Sequence, residues 1–367
     1  MSTGGDPTTV GIVGLGVISG AYLATLSGAS AVRVAAVADL DPTRAAEVAA
    51  SVPGARPLSP ESLYADPGID LVLNLTTPAA HAEVALAALA AGKDVFGEKP
   101  LGADLSAGTA ILDAAAAAGR RVGCAPDTVL GTGVQTARAA VEAGLIGRPV
   151  SAAATWLSPR HEHWHPNPDY YYLEGGGPVL DMGPYYLTSL VHLLGPVAWV
   201  QGAGSRARST RVIGTGPRAG EQIPVDVDTH VTGVLGHVGG ALSTVTFSFD
   251  AVASTSAPIE VHGDEGVLVV PDPNGFGGEV MHLRRGSGQS WTPLPASAGY
   301  AQAGRGVGLI DFAAGAERAS GALALHVLEV MTALTAGSSR RIPLAHPVAP
   351  PPLVPLTPRT TWHGGTP

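Results

Sequence analysis

The sequence predicts a two-domain α/β chain: a parallel sheet flanked by crossover helices, then an α+β domain built on a large, mainly antiparallel, open-faced sheet. Three observations carry this expectation. The chain has 367 residues, more than one hydrophobic core comfortably organises. Before Ala125, short β-branched runs alternate with helix-like stretches, the pattern of strands joined by crossover helices. After Ala125 the texture changes to closely spaced strand-like segments with few helices among them. The boundary is therefore expected near Ala125 to Thr128, giving domains of residues 1–126 and 127–367.

In order, Val10 to Val13 reads as the first strand and Val17 to Leu26 as its helix. Val32 to Ala38 follows as a strand, and Pro42 to Ala50 as a helix with proline in its first turn. Ile69 to Leu75 is a third strong strand, and His81 to Ala91 a helix stopped by Gly92. Lys93 to Phe96 is strand-like, Leu105 to Ala118 helical, and Arg121 to Cys124 a short last strand. In the second domain a helix, Gly133 to Gly144, leads into strands at Ser151 to Leu157, Ala198 to Ala203 and Val225 to Leu235. Further strands are expected at Ala241 to Phe249, Pro258 to His262 and Gly266 to Val270, with helices at Met182 to Leu194 and Leu323 to Ala336. The proline-rich segment Pro347 to Pro358 is barred from a central strand.

Composition narrows the function. Apolar residues at 45% and charged residues at 14% suit a folded enzyme and not a disordered chain. A formal charge of −9 argues against a nucleic-acid partner, which demands a basic face. Cys124 is the single cysteine, so an intramolecular disulfide and a cysteine-based zinc site are both excluded. Residues 1–9 lack the basic start and apolar core of a signal peptide, and alanine-rich runs such as Val84 to Ala91 are too short to span a bilayer. A cytoplasmic protein without membrane contact is expected. Lysine occurs only at Lys93 and Lys99, which draws attention to both, since arginine cannot replace an amine that must share or move a proton.

Val10-Gly-Ile-Val-Gly-Leu-Gly-Val-Ile-Ser-Gly20 runs a strand directly into a helix. Gly14 permits the tight turn and Gly16 lets the backbone approach a pyrophosphate. The helix N-terminus, at Val17, Ile18 and Ser19, offers unpaired N–H groups to the anion. Ser19 stands where a third glycine is usual and is still small enough for close helix–strand packing. Asp39, about 20 residues on at the end of the second strand, is placed to accept the ribose hydroxyls. This is the fingerprint of a Rossmann dinucleotide-binding domain. Leu40 offers a 2′-phosphate no donor and Asp39 would repel it, so NAD is favoured; Arg44 leaves NADP open. Thr76, Thr77, Pro78 and His81 follow the third strand on the ligand-binding edge, where Thr77-Pro78 also suits a helix start. Glu98-Lys99-Pro100 ends the next strand at that same edge, toward the nicotinamide end of the cofactor.

With these segments in hand, the chain resembles the glucose–fructose oxidoreductase / inositol dehydrogenase (Gfo/Idh/MocA) family. The matching pieces are Gly-Leu-Gly-Val-Ile-Ser (14–19), Ala38-Asp39, Thr77-Pro78 with His81, and the stretch from Ala91 to Glu98-Lys99-Pro100. Later pieces are Gly175-Gly-Gly-Pro-Val-Leu-Asp-Met-Gly183, Gly-Asp-Glu-Gly (263–266), Gly-Phe-Gly-Gly (275–278) and the terminal helix 323–329. The resemblance implies an NAD(P)-dependent oxidoreductase acting on a sugar, polyol or glycoside. It implies Lys99 as the catalytic lysine and Asp181 as the carboxylate that orients lysine and substrate. It also implies an open-faced sheet that builds a homodimer or homotetramer.

One departure stands out. The family places a histidine where this chain has Tyr185, within Asp181-Met-Gly-Pro-Tyr-Tyr186. A phenol, with an ordinary pKa of about 10, is a poor base unless a cation such as Lys99 lowers it. Three readings stand: Tyr185 is the base, Lys99 relays the proton, or Tyr185 only stacks on or hydrogen-bonds the sugar.

Arg160-His-Glu-His-Trp-His165 precedes the run Tyr170-Tyr-Tyr172. Histidines at alternate positions would share one face of an extended segment, with Glu162 beside them, a pattern able to hold zinc or manganese. The Pro/Asn-rich loop announces no groups to hydrogen-bond and orient such ligands, so no metal is expected. The preferred reading is a loop over the substrate, with His163 and Trp164 contacting it. The alternative is a solvent-exposed or subunit-contact loop. His326, on an apolar stripe, reads as a satisfied core histidine. Beside the oxidoreductase reading stand two others. One is a redox-neutral enzyme whose tightly bound NAD transiently oxidises a glycoside to allow elimination or cleavage. The other is a non-catalytic nucleotide-binding sensor.

Overall fold

Six short strands form one wholly parallel sheet: β1 (Thr8–Val13), β2 (Val32–Ala38), β3 (Arg56–Leu58), β4 (Leu71–Asn74), β5 (Asp94–Gly97) and β6 (Val122–Cys124). The computed structural model describes residues 6–165 and 167–363. Strand order is β3-β2-β1-β4-β5-β6. The chain builds outward from β1 on one side and then returns to build outward on the other, so the carboxyl ends of β1 and β4 flank a switch point where ligands settle in such sheets. β1, β2 and β4 are buried along nearly their whole length. That is why they read as unbroken apolar runs and not as alternating ones.

The connecting helices follow local chemistry. In α1 (Ser19–Leu26) the helix begins two residues later than the expected Val17, because residues 16–18 form the turn beneath it. α2 (Pro42–Ser51) is capped by Asp41, whose carboxylate accepts from the N–H groups of Thr43 and Arg44, with proline at its start. β3 and the six-residue α3 (Pro60–Ala65) were not expected; Arg-Pro-Leu has too little apolar pattern to announce a strand. α4 (His81–Ala90) and α5 (Leu105–Ala118) pack on the sheet through Val84, Ala88, Leu89 and Ile111. α5 starts on the Asp104 cap and ends at Gly119, which adopts φ 61°. Lys93 is a structural lysine: it is buried, and its Nζ donates to the Asp66 carbonyl at 2.7 Å.

The chain divides into two units. The first comprises the chain to Thr132, Ala298–Leu325 and the segment from Pro351; the second comprises Gly133–Ser297 and His326–Pro350. In the first unit the returning segment is tied in by Asp127. This residue is fully buried, and its Oδ2 accepts from Gly306 N at 2.7 Å and Gly308 N at 3.1 Å, at the start of a helix over Val307–Ala313.

The second unit holds a nine-stranded sheet. Its members are β7 (Pro149–Leu157), β8 (Val197–Ser205), β11 (His230–His237), β12 (Leu242–Ser248), β13 (Ile259–Gly263), β14 (Gly266–Val270), β15 (Val280–Arg284), β16 (Thr292–Leu294) and β17 (Ile342–Pro343). The order is β16-β15-β14-β13-β7-β12-β11-β8-β17. Every pairing is antiparallel except β12 with β7, which is parallel. The strand expected at Val225 to Leu235 begins only at His230. Val225 instead belongs to a small cluster fed by the hairpin β9 (Thr210–Val212) and β10 (Gln222–Pro224). β16 at one edge of the sheet, its neighbour β15, and β17 at the other edge were also not anticipated. A 17-residue helix, Pro178–Leu194, lies across β7, β11 and β12. His326 is the satisfied core histidine expected of it: fully buried, its Nε2 accepts from Val197 N at 3.1 Å while Nδ1 faces the His346 carbonyl at 2.8 Å. Among the described residues no helix is long and apolar enough to cross a membrane.

Candidate active site

In the first unit the carboxyl ends of β1, β2, β4 and β5 present Gly14, Asp39, Thr76 and Glu98-Lys99 along one sheet edge. Gly14 has φ 92°, and a Cβ there would lie 2.7 Å from the backbone of Leu75 and Thr76, so this position admits only glycine. A Cβ on Gly16 would meet nothing within 4 Å. The loop backbone therefore faces open space, as a pyrophosphate cradle requires. Val17 is fully exposed and Ile18 half-buried. Ser19 is buried and its hydroxyl donates to the Gly16 carbonyl at 2.7 Å. Its side chain shapes the turn and is not offered to a ligand.

Asp39 is held by the phosphate loop itself. Its Oδ2 accepts from Leu15 N at 2.8 Å and its Oδ1 from Asp41 N at 3.0 Å. Two fixed oxygens with lone pairs remaining suit a diol. Arg44 lies 3.7 Å from Oδ1 and is half exposed, and Leu40 is 93% exposed. These residues fit a dinucleotide.

At the next strand end, Asn74 organises the turn. Its Oδ1 accepts from Thr76 Oγ1 at 2.6 Å and Thr76 N at 3.2 Å, and its Nδ2 donates to the His81 carbonyl. Thr77 and Pro78 are exposed and open a 3₁₀ turn, with no capping bond from the Thr77 hydroxyl. The His81 ring is buried, with Nδ1 2.7 Å from the Pro100 carbonyl and Nε2 3.1 Å from the Thr76 carbonyl. Burial pushes its pKa down, and a neutral imidazole carries one N–H, so it donates to one of these carbonyls at a time. His81 thus lies between two strand ends and donates its single N–H to one of their carbonyls.

Glu98 is buried behind the edge. Tyr22 of α1 donates to Oε1 at 2.7 Å, and the Lys99 backbone N–H donates to Oε2 at 2.9 Å. Burial first, and the Glu98 charge second, push the Tyr22 hydroxyl well above its ordinary pKa, so it stays a donor. Lys99 itself is half-buried.

In the second unit, the helix Pro178–Leu194 starts at Gly177, φ 96°, with Pro178 next and Asp181 in its first turn, where a carboxylate suits the helix dipole. The Asp181 side chain is 22% exposed, and its Oδ2 lies 3.6 Å from His161 Nε2. Tyr185, one turn further, is 5% exposed and follows Pro184 inside the helix.

The histidine loop departs from the extended segment expected of it. His161–His163 form a 3₁₀ turn entered through Arg160 at φ 61°, so the three rings do not share a face. His161 is buried, His163 exposed and His165 half-buried. Glu162 is 2% exposed: Arg211 Nη1 lies 3.4 Å from its Oε1, and Tyr172 donates to its Oε2. Arg211 also pairs with Asp250, which accepts from Thr229. Trp164 is 57% exposed, and its ring leans on those of His161 and His165. Among the described residues no three His, Cys, Asp or Glu side chains gather as a metal site would. Sequence reading missed Glu162 and His161 as an anchored pair, since their partners lie far along the chain.

Two family models match the chain. An oxidoreductase family with an NAD-binding Rossmann fold matches residues 8–125, and a Gfo/Idh/MocA C-terminal domain matches residues 134–269. An inositol 2-dehydrogenase from Pseudomonas fluorescens is 34% identical over 158 residues, covering 41% of this chain and 46% of that enzyme. The match thus spans less than half of that relative's length. A 1,5-anhydro-D-fructose reductase from Ensifer adhaerens is 30% identical over 247 residues, 64% of this chain and 67% of that enzyme. A solved structure of levoglucosan dehydrogenase in complex with NADH and L-sorbose superimposes with a TM-score of 0.78 at 22% identity, over 92% of this chain and 99% of that one.

Proposed function

The chain belongs to the Gfo/Idh/MocA family of oxidoreductases, whose first module is an NAD-binding Rossmann fold, and from that premise we propose that it is a dehydrogenase of a sugar, polyol or glycoside hydroxyl. The observation that carries this reading is the single sheet edge bearing an open phosphate loop, the fixed carboxylate of Asp39 and the Glu98-Lys99 pair. The names of its relatives support the substrate class: inositol, anhydrofructose and levoglucosan are all polyhydroxylated.

NAD, when bound, supplies a nicotinamide that takes up or returns the hydride of a carbinol carbon. The chain's own residues do the rest. Gly14 to Ser19 hold the pyrophosphate, Asp39 the ribose, and Leu40, Thr76, Thr77, Pro78, His81 and Glu98 shape the rim. Lys99 stabilises charge developing on the reacting oxygen as its proton leaves, and its amine, unlike a guanidinium, is able to share that proton. Asp181 orients the hydroxyls, and His163, Trp164 and Tyr185 line the sugar. Exposed Trp164 offers an apolar face to carbon-bound hydrogens. The alternating burial of β13 and β14 leaves the sheet one less covered face, which we assign to a second copy of the chain in a homodimer or homotetramer. We assign the protein to the cytoplasm, with its pyridine nucleotide pool.

The test is a panel of inositols, sugars and glycosides with NAD and with NADP, followed by the absorbance of reduced nicotinamide. Reduction of NAD by at least one polyol is expected, and it should be lost in Lys99→Ala. Product formed with no net NADH would move the assignment to the redox-neutral reading. Nucleotide binding with no turnover on any member would move it to a sensor.

A further inference from the structure

We propose that His161 serves as the proton acceptor behind Asp181, replacing from a different element the imidazole that the helix lacks at Tyr185. The inference rests on the reading of Asp181 as the carboxylate at the reacting hydroxyl. His161 Nε2 lies 3.6 Å from Asp181 Oδ2, an ion-pair separation slightly beyond hydrogen-bond length. The histidine is 4% exposed while the Asp181 side chain is 22% exposed, so the carboxylate stands in front and the ring behind.

The surroundings suit a ring that gains a proton. Four aromatic rings surround it: Phe249 at 4.4 Å, Tyr171 at 4.5 Å, Trp164 at 5.2 Å and Trp156 at 5.7 Å between centroids. Aromatic faces within about 6 Å attract a cation. Nδ1 meets no hydrogen-bond partner among the described residues, and Nε2 is the ring nitrogen that faces Asp181. Other charged groups nearby are engaged elsewhere. Glu162 of the same loop is held by Arg211 of β9 and by Tyr172, and Asp250, past β12, by Arg211 and Thr229. Tyr171, from the short helix Asp169–Tyr172, is kept neutral by burial and by its neighbours Tyr170 and Asp181, which push its pKa up. Among the described residues, the carboxylate that lies within ion-pair distance of the ring is that of Asp181.

The step balances simply. The substrate O–H bond breaks and its proton passes to the Asp181 carboxylate. An N–H bond then forms at His161 Nε2, leaving carboxylate and imidazolium as a pair; the carbinol hydrogen with its electron pair, a hydride, would leave to a bound nicotinamide. His161 never touches the substrate; it is a positioning residue that acts through Asp181. The buried Glu162–Arg211 anchor keeps it there.

Two measurements test this. The first needs no turnover. With isotope-labelled histidine, the His161 ring signals, identified by their loss in His161→Gln, are compared between the wild-type chain and Asp181→Asn. Loss of the carboxylate beside Nε2 should displace the ring nitrogen signals; unchanged signals overturn the pairing. The second is the pH profile of polyol oxidation. His161→Gln should lose about 100-fold in kcat, together with the acid limb of the profile, while KM and NAD binding stay within about threefold. Retained turnover with the limb intact overturns the relay even if the NMR shift is present. If no polyol is oxidised by the wild-type chain, the proposed function fails, while the NMR arm still reports on the pair.

Discussion

Replacing Glu162 by alanine should destabilise the second unit by about 4 kcal/mol. The carboxylate is 2% exposed and joins Arg211, itself 3% exposed, to Tyr172. Removing one member of a buried ion pair costs about 3–5 kcal/mol, because the remaining charge keeps its desolvation penalty. The Tyr172 hydroxyl would also lose its acceptor, worth about 1–3 kcal/mol. Asp250 still pairs with Arg211 and holds the total toward the lower end of the sum. Glu162→Gln keeps an acceptor for Tyr172 but still removes the charge facing Arg211, so it should cost about 3 kcal/mol. Urea unfolding followed by tryptophan fluorescence reads this directly, since Trp156 packs against the same cluster. A loss below about 1 kcal/mol in Glu162→Ala, the range of a solvated surface pair, would refute the reasoning. It would mean that the loop is not anchored where it holds His161.

Three further outcomes follow from particular residues. Gly14→Ala would force a side chain into φ 92° with its Cβ 2.7 Å from the Leu75–Thr76 backbone, so NAD affinity by calorimetry should fall at least about tenfold; an unaltered Kd would contradict the phosphate-loop geometry. His192 is fully buried with Arg138 Nη1 3.1 Å from its Nδ1, and its pKa is pushed down to about 3, by burial first and the Arg138 charge second. The unfolded chain takes up that proton below about pH 6.5 and the fold does not, so stability is present above pH 6.5 and is lost, by up to about 1.4 kcal/mol per pH unit, as pH falls toward 3. His192→Gln should flatten that slope in unfolding curves taken at pH 7 and pH 5, and an unchanged slope would exclude His192 as its source. Tyr185→Phe should keep kcat within about tenfold, as a packed and orienting side chain would. A loss of about a thousandfold would restore the phenol as the base.

Much of the first unit was legible because its signals are local. Val32–Ala38 is an unbroken β-branched and alanine run, and Leu105–Ala118 lies between an aspartate cap and a left-handed glycine, so both were read to the residue. The phosphate loop was legible for the same reason, although its helix starts later than periodicity suggested. Ser19 was assigned by position, yet its hydroxyl turned inward. The second unit hid more. Val225 belongs to a cluster assembled with Ile213, Ile223 and Phe249, and nothing in its neighbourhood distinguishes that from a strand. Glu162 sits in a polar, histidine-rich loop that reads as solvated. Its burial depends on Arg211, 49 positions away, and no window of sequence contains both. The Asp181–Tyr185 departure was visible, but the histidine placed beside Asp181 comes from a turn that the alternate spacing disguised as an extended segment.

The central claim is that this chain moves a hydride from a polyol carbon to NAD. A polyol deuterated at its carbinol carbon, incubated with the protein and NAD, tests it most directly, with the mass of the recovered nucleotide as the readout. The account predicts NADH heavier by the transferred deuterium, in amounts equal to the ketone formed and absent in Lys99→Ala. Recovery of unlabelled nucleotide, with the deuterium returned to product or lost to water, would contradict it.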